Sequence, residues 1–151
     1  MNDHVAEPVT ITSSRIFLVA AEELFEAFRN PEFSEQWWGP EGFTNTFHEF
    51  DLRPGGKWRL TMRGPNGAEY QNDKTFLEVM DNQRVSFEHH GAGPHFFMTH
   101  DYEPVPEGTK LTWTMRFPER VENEKFKSFI LDANEQNFDR LEDALRKKAK
   151  L

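Results

Sequence analysis

The sequence predicts an α+β domain in which a curved antiparallel sheet wraps around one long C-terminal helix, with two short helices after the first strand. Three observations lead to this. Six apolar-rich runs between residues 43 and 117 are separated by compact Gly, Pro and Asn turns, which implies a meander. A single amphipathic stretch, Glu122 to Lys148, closes the chain and is the one large element able to cover a sheet face. Aromatic residues make up 14% of the chain, with 15 Phe and 4 Trp, and the inner face of such a sheet is where they can be buried.

Residues 1–7 read as a disordered tail and 8–151 as one domain. Val9 to Val19 (VTITSSRIFLV) is rich in β-branched residues and predicts a strand. Ala20-Ala21-Glu22-Glu23 opens a helix with acids in its first turn, and Leu24, Phe25 and Phe28 fall at helical spacing. Asn30-Pro31 ends it and starts a second helix through Trp37, since proline suits a first helical position. Strands follow near Phe43–Leu52, Lys57–Arg63, Ala68–Val79, Arg84–His90, His95–Glu103 and Lys110–Phe117. In the last helix Phe126, Phe129, Ile130, Ala133, Phe138, Leu141, Ala144 and Leu145 are assigned to one stripe. Glu122 and Glu124 at its start and Arg146, Lys147 and Lys148 at its end complement the helix dipole.

Composition excludes several function classes. With 18 Lys+Arg against 26 Asp+Glu the formal charge is −8, which disfavours nucleic acid and anionic lipid as partners. Cysteine is absent, so disulfides and thiolate metal sites are excluded, and a reducing cytoplasm is the expected setting. Residues 1–8 lack the basic start and apolar run of a signal peptide, and no stretch has the apolar length of a membrane span. Exposed aromatics and the first strand leave a homodimer open.

Alternation assigns the inward face. Trp58, Leu60 and Met62 point one way from their strand, and Lys57, Arg59, Thr61 and Arg63 the other. A four-residue turn at Gly91–Pro94 puts Val85, Phe87, His89, Phe96, Met98 and His100 on one face. Leu111, Trp113, Met115 and Phe117 share a face whose direction depends on whether a bulge precedes them. The inward aromatics are either plain core or the wall of a ligand pocket. The polar groups among them, His89 and His100 on the strands and Asn134 and Asn137 on the helix, fit the pocket reading.

Three further features carry chemistry. Asp51-Leu-Arg-Pro-Gly-Gly-Lys-Trp58 resembles a phosphate loop, but such loops open onto a helix, whereas this one precedes an alternating strand. A hairpin corner, with glycine supplying positive φ, is the better reading. Glu88, His90 and His95 converge on the outer face of one hairpin with three nitrogen or oxygen ligands, but without a shielding cavity; no metal and no other cofactor is expected. His89 and His100 are the inward candidates for acid–base work, joined by Glu49, Asp51, Asp73 and Glu78 if strand parity turns them inward. No nucleophile–base–orienter set and no GxSxG or Walker motif is present, so no catalytic residue is assigned. Trp37-Trp38 sits on a short helix, where adjacent side chains diverge; one tryptophan is expected in the core and one partly exposed, as a gate or an interface anchor.

The pieces FSEQWWGPEGF (Phe33–Phe43), DLRPGGKWRL (Asp51–Leu60), GAEYQNDKTFLEV (Gly67–Val79) and NEQNFDRLEDAL (Asn134–Leu145) come in a specific order and spacing. On them the chain resembles the START-like (SRPBCC, Bet v-like) superfamily and, within it, the family of activator of heat-shock protein 90 ATPase homologues. The resemblance covers about the whole chain. It implies the helix-grip fold and a cavity between sheet and long helix. It also implies two alternatives to plain ligand binding: a chaperone-activating interaction module, and a cavity enzyme of the polyketide cyclase or hydrolase kind. Related sequences carry a Gly-Trp pair where this chain has Ala133-Asn134, so an aromatic wall is exchanged for an amide.

The expected ligand is therefore a small hydrophobic or amphipathic molecule, held by a carrier, sensor or stress-linked factor. The residues expected to line its site are Trp38, Phe47, Trp58, Leu60, Met62, Phe76, Phe87, His89, Met98, His100, Trp113, Phe126, Ile130, Asn134 and Asn137.

Overall fold

The computed structural model describes residues 8–91, 93–119 and 123–149. The expected tail (1–7) and the expected helix start at Glu122 lie outside them. The element order is β1 (Val9–Phe17), α1 (Ala21–Arg29), α2 (Pro31–Trp37), β2 (Thr44–Phe50), β3 (Lys57–Arg63), β4 (Glu69–Met80), β5 (Arg84–His89), β6 (Phe96–Val105), β7 (Gly108–Phe117) and α3 (Glu124–Ala149). The seven strands form one sheet in the order β1-β7-β6-β5-β4-β3-β2. Every pairing is antiparallel. This is the helix-grip arrangement, and it matches the expected fold class. No helix among the described residues is long and apolar enough to cross a membrane.

Two register shifts set which side chains face inward. The bulge between Phe47 and Glu49 in β2 turns both Phe47 and Phe50 toward the core, where their rings stack at 5.7 Å. The bulge between Phe76 and Glu78 in β4 does the same for Phe76 and Val79. No shift interrupts β7, so Leu111, Trp113, Met115 and Phe117 all point inward. The carboxylates whose direction depended on parity face outward: Glu78 pairs with Arg84, Asp73 and Glu49 with Arg59, and Asp51 with Arg53.

α1 and α2 plug one end of the sheet. Phe28 of α1 touches the rings of Trp38, Phe50, Trp58, Phe76 and His100. Trp37 and Trp38 are both buried, at 2% and 6% exposure, which corrects the expectation that one is exposed. Trp38 lies just past the last turn of α2 in extended backbone (φ −65°, ψ 138°), so helical divergence does not apply to it. Its ring turns inward onto Trp58 at 4.8 Å and Trp113 at 5.5 Å. In α3 the buried face is Asn134, Asn137, Phe138, Leu141 and Leu145. Phe129 is 70% exposed and does not belong to that stripe. It sits nine residues before Phe138, about two and a half turns, hence on the opposite side of the helix.

The Pro54-Gly55-Gly56 corner uses its two glycines differently. Gly55 takes φ +83° with open space around it, whereas a Cβ on Gly56 would run into the Asp51 carbonyl oxygen. The amides a phosphate loop would present are occupied: Gly55 N–H donates to Phe76 O (2.8 Å) and Gly56 N–H to Arg53 O (2.8 Å). The corner thus locks β3 against β4. Gly55→Ala should cost ~1 kcal/mol for the left-handed backbone. Gly56→Ala should cost about twice that or more, because backbone has to move. Urea midpoints of the two variants test this; an equal or greater loss in Gly55→Ala would contradict it.

Candidate functional site

Between the inner face and α3 lies a cavity of about 210 Å³, walled by Trp38, Gly39, Pro40, Met62, Asn72, Lys74, His89, Pro94, Phe96, Met98, Trp113, Met115, Asn134 and Asn137. At ~30 Å³ per water, it has room for about seven. It opens to solvent, as do the larger hollows, but its lining is mostly buried; one larger hollow, of about 870 Å³, runs along Ala21–Glu22, the β4–β5 turn and Asp101–Pro104, mostly among exposed side chains.

Of the residues expected at the site, Trp38, Met62, His89, Met98, Trp113, Asn134 and Asn137 border this cavity. Trp58, Leu60, Phe76, Phe87 and His100 are fully buried in the core and do not border it. Phe47, Phe126 and Ile130 pack partly buried around that core. Trp58 stacks on Phe76 at 5.8 Å and meets Phe87 edge-on at 5.3 Å, which is plain core packing.

The wall also includes Gly39, Pro40, Asn72, Lys74, Pro94, Phe96 and Met115, which were not expected at the site, and the ionisable one among them is Lys74. The inward alternation Asn72, Lys74, Phe76 was the available signal, but a lysine is rarely buried without a partner. The register sets Lys74 opposite Trp58 on β3 and His89 on β5. It is 3% exposed. Its ammonium donates to Asn72 Oδ1 at 3.2 Å and lies 4.9 Å from the Trp58 ring and 5.9 Å from that of Phe87. Its sequence neighbour Asp73 points to the other face of the sheet, 3.4 Å from Arg59. Burial pulls the Lys74 pKa down from 10.5 to about 7, with Asp73 opposing weakly. That displacement amounts to a penalty on the order of 5 kcal/mol on the charged form. Two cation–π contacts at ~0.5–2 kcal/mol each and the hydrogen bond to Asn72 offset part of it.

The histidines divide by environment. His100 is stacked on Trp113 at 4.9 Å, and burial lowers its pKa to about 3. It is therefore neutral at pH 7 and a weak base, and its buried Nε2 has no hydrogen-bond partner among the described residues. His89 stacks on Phe96 at 4.6 Å at the cavity wall. On the outer face, His95 Nε2 and His90 Nδ1 lie 2.7 and 3.7 Å from Glu88 Oε2. This Glu88–His90–His95 group has the ligand types for zinc, but it sits on the outer face of the sheet, away from the cavity.

α3 is held over the cavity by polar contacts. Arg140 donates to the carbonyls of Gln36, Trp38, Gly39 and Pro40 at 2.8–3.0 Å. Asn137 donates to Trp37 O at 2.8 Å and accepts from Gly39 N at 3.1 Å. Arg15 on β1 pairs with Glu135 and Asp139 at 2.9 and 2.8 Å. Asn134 donates to Ser13 Oγ at 3.1 Å.

The pKa of Lys74 makes a stability prediction. Its folded-state value, about 7, is depressed below 10.5, so the unfolded chain binds the extra proton between those values. Stability should therefore rise with pH across pH 7–9, by up to ~1.4 kcal/mol per unit. The Tyr102 phenol, which burial pushes above its ordinary value of 10.0, has no effect in that window. Lys74→Met should remove the slope and be more stable at pH 7 by ~1–4 kcal/mol. Urea unfolding at pH 7, 8 and 9 checks both; a flat wild-type profile with a destabilised variant would mean Lys74 is solvated.

Comparison with known proteins agrees with this architecture. The chain superposes on a crystal structure of a protein from Nitrosomonas europaea with a TM-score of 0.82 and 22% identity, covering 95% of this chain and 97% of that one. For a Rhodobacter sphaeroides protein the values are 0.80 and 21%, over 91% and 92%. For the AHSA1 protein of Silicibacter pomeroyi they are 0.79 and 21%, over 93% and 99%. At these identities the likeness shows the fold. No curated protein matches the chain. The family model described as Activator of Hsp90 ATPase homolog 1-like protein matches residues 19–146, and the chain belongs to that family.

Proposed function

We propose that this protein binds a small, largely apolar molecule in the cavity between its sheet and α3, as a cytoplasmic carrier or sensor and without covalent chemistry. The observation that supports this is the wall itself: Trp38, Met62, Phe96, Met98, Trp113 and Met115 form an apolar body interrupted by a few polar groups. That is the usual make-up of a ligand pocket. The volume of about 210 Å³ lies below the ~300–1,000 Å³ of pockets for drug-sized ligands, which points to a compact ligand.

The two alternatives each lose their leading residue. A chaperone-activating module anchored on Trp38 does not fit a side chain with 6% exposure. A cavity enzyme using His100 as general base does not fit a ring outside the cavity wall whose pKa is about 3.

Indole is a suitable neutral probe. Heteronuclear NMR titration should shift resonances of Trp38, Met98, Trp113 and Asn134 together. Asn134→Trp, which places a large ring in the cavity wall, should reduce indole affinity at least tenfold while the spectrum stays folded. Indole shifts scattered over the surface, or unchanged affinity in the folded variant, would count against the cavity as the site.

A further inference from the structure

Among the described residues the cavity wall carries two basic side chains, Lys74 and His89, and no Asp or Glu. The protein as a whole is acidic, with a formal charge of −8. A basic interior in an acidic protein is the reverse of what the average surface would place there. The two bases are directly cross-strand partners on β4 and β5.

The amide groups of the wall are engaged within the protein: Asn72 Nδ2 donates to Tyr70 O and Asn134 Nδ2 to Ser13 Oγ. Asn72 Oδ1 is taken by Lys74, Asn137 Oδ1 by Gly39 N–H, and the Asn137 amide nitrogen by Trp37 O. The indole N–H of Trp113, a cavity-wall residue 1% exposed, has no hydrogen-bond partner among the described residues. The nearest acid in sequence, Asp73, is turned to the opposite face beside Arg59. A buried cation is stabilised chiefly by a counter-charge, and among the described residues no carboxylate lines the cavity beside Lys74.

We propose that the cavity takes a small apolar acid, a carboxylate on a compact hydrocarbon or aromatic body, with the carboxylate against Lys74 and the body among Trp38, Phe96, Met98 and Trp113. This rests on the cavity reading above and narrows it to one ligand class. A carboxylate supplies a counter-charge and accepts hydrogen bonds, which the Lys74 ammonium, with one acceptor in Asn72 Oδ1, can donate. The apolar remainder fills the aromatic and methionine surface, where Met98 and Met115 adapt to its shape. The depressed Lys74 pKa agrees with a cation awaiting its partner, since a bound anion favours the charged form.

The matched probes phenylacetate and phenylacetamide test this by isothermal titration calorimetry at pH 6.5, with indole as the neutral reference. Phenylacetate should bind at least tenfold tighter than phenylacetamide. Lys74→Met should bring phenylacetate down to the affinity of the amide, with phenylacetamide changed less than threefold, which also reports that the variant is folded. Equal wild-type affinities for acid and amide would overturn the proposal without any variant. So would phenylacetate binding that is unchanged in Lys74→Met. If indole still binds in those cases, the cavity reading stands alone. If none of the three probes binds, both readings fall together.

Discussion

The structure depends on how the C-terminal end of α2 is satisfied. The last carbonyls of a helix have no partners within it and need donors from elsewhere. Here Arg140 of α3 supplies them, reaching the carbonyls of Gln36, Trp38, Gly39 and Pro40, with Asn137 bridging Trp37 and Gly39 alongside. The clasp turns a helix-end requirement into a tertiary lock. It ties α3 to the plug of the sheet at one side, while Arg15, Glu135 and Asp139 tie it to β1 at the other. Held at both sides, the helix spans the sheet and leaves a gap above Met62, Lys74 and His89.

That gap makes the interior chemistry unusual. The aromatic cluster around Phe28, Trp58 and Phe87 supplies stability without polar demands. Directly beside it, the register places Lys74 between Trp58 and His89. One row of the sheet therefore passes from plain core to a charged cavity wall within two strands. Burial there disfavours the charged ammonium, and replacing such a group with an apolar side chain is often neutral or stabilising. A buried ionisable side chain with a displaced pKa on a cavity wall marks that wall as a candidate site.

Much of this was legible in the sequence. Period-two alternation assigned Trp58, Leu60, Val85, Phe87, Met98 and His100 to the buried face, because a half-buried antiparallel strand has no other way to place them, whereas the direction of Leu111 and Trp113 had to wait for the register of β7. The turns around Gly55, Asn66-Gly67 and Asn82 were readable from the residues that tolerate positive φ. Three features were not readable, each for a physical reason. The burial of both Trp37 and Trp38 depends on α2 ending between them, and helix ends cannot be placed to one residue from pattern alone. The exposure of Phe129 follows from angular position about a helix whose buried side is chosen by the sheet, not by its own hydrophobicity. Lys74 was passed over because its type argues for solvent while its parity argues for the core; parity, enforced by the paired strands on either side, prevailed. The split of the inward aromatics into core and cavity wall is set by where α3 crosses the sheet, which rests on contacts far apart in sequence.

The central claim is that the cavity wall holds a buried lysine with no acid partner on that wall among the described residues. The most direct measurement is an NMR pH titration of the Lys74 side chain, following its Cε and Hε resonances in the ligand-free protein. The account predicts a midpoint of about 7, far below the other lysines. A midpoint near the ordinary value of 10.5 would contradict it, by showing that water or a carboxylate already serves that charge.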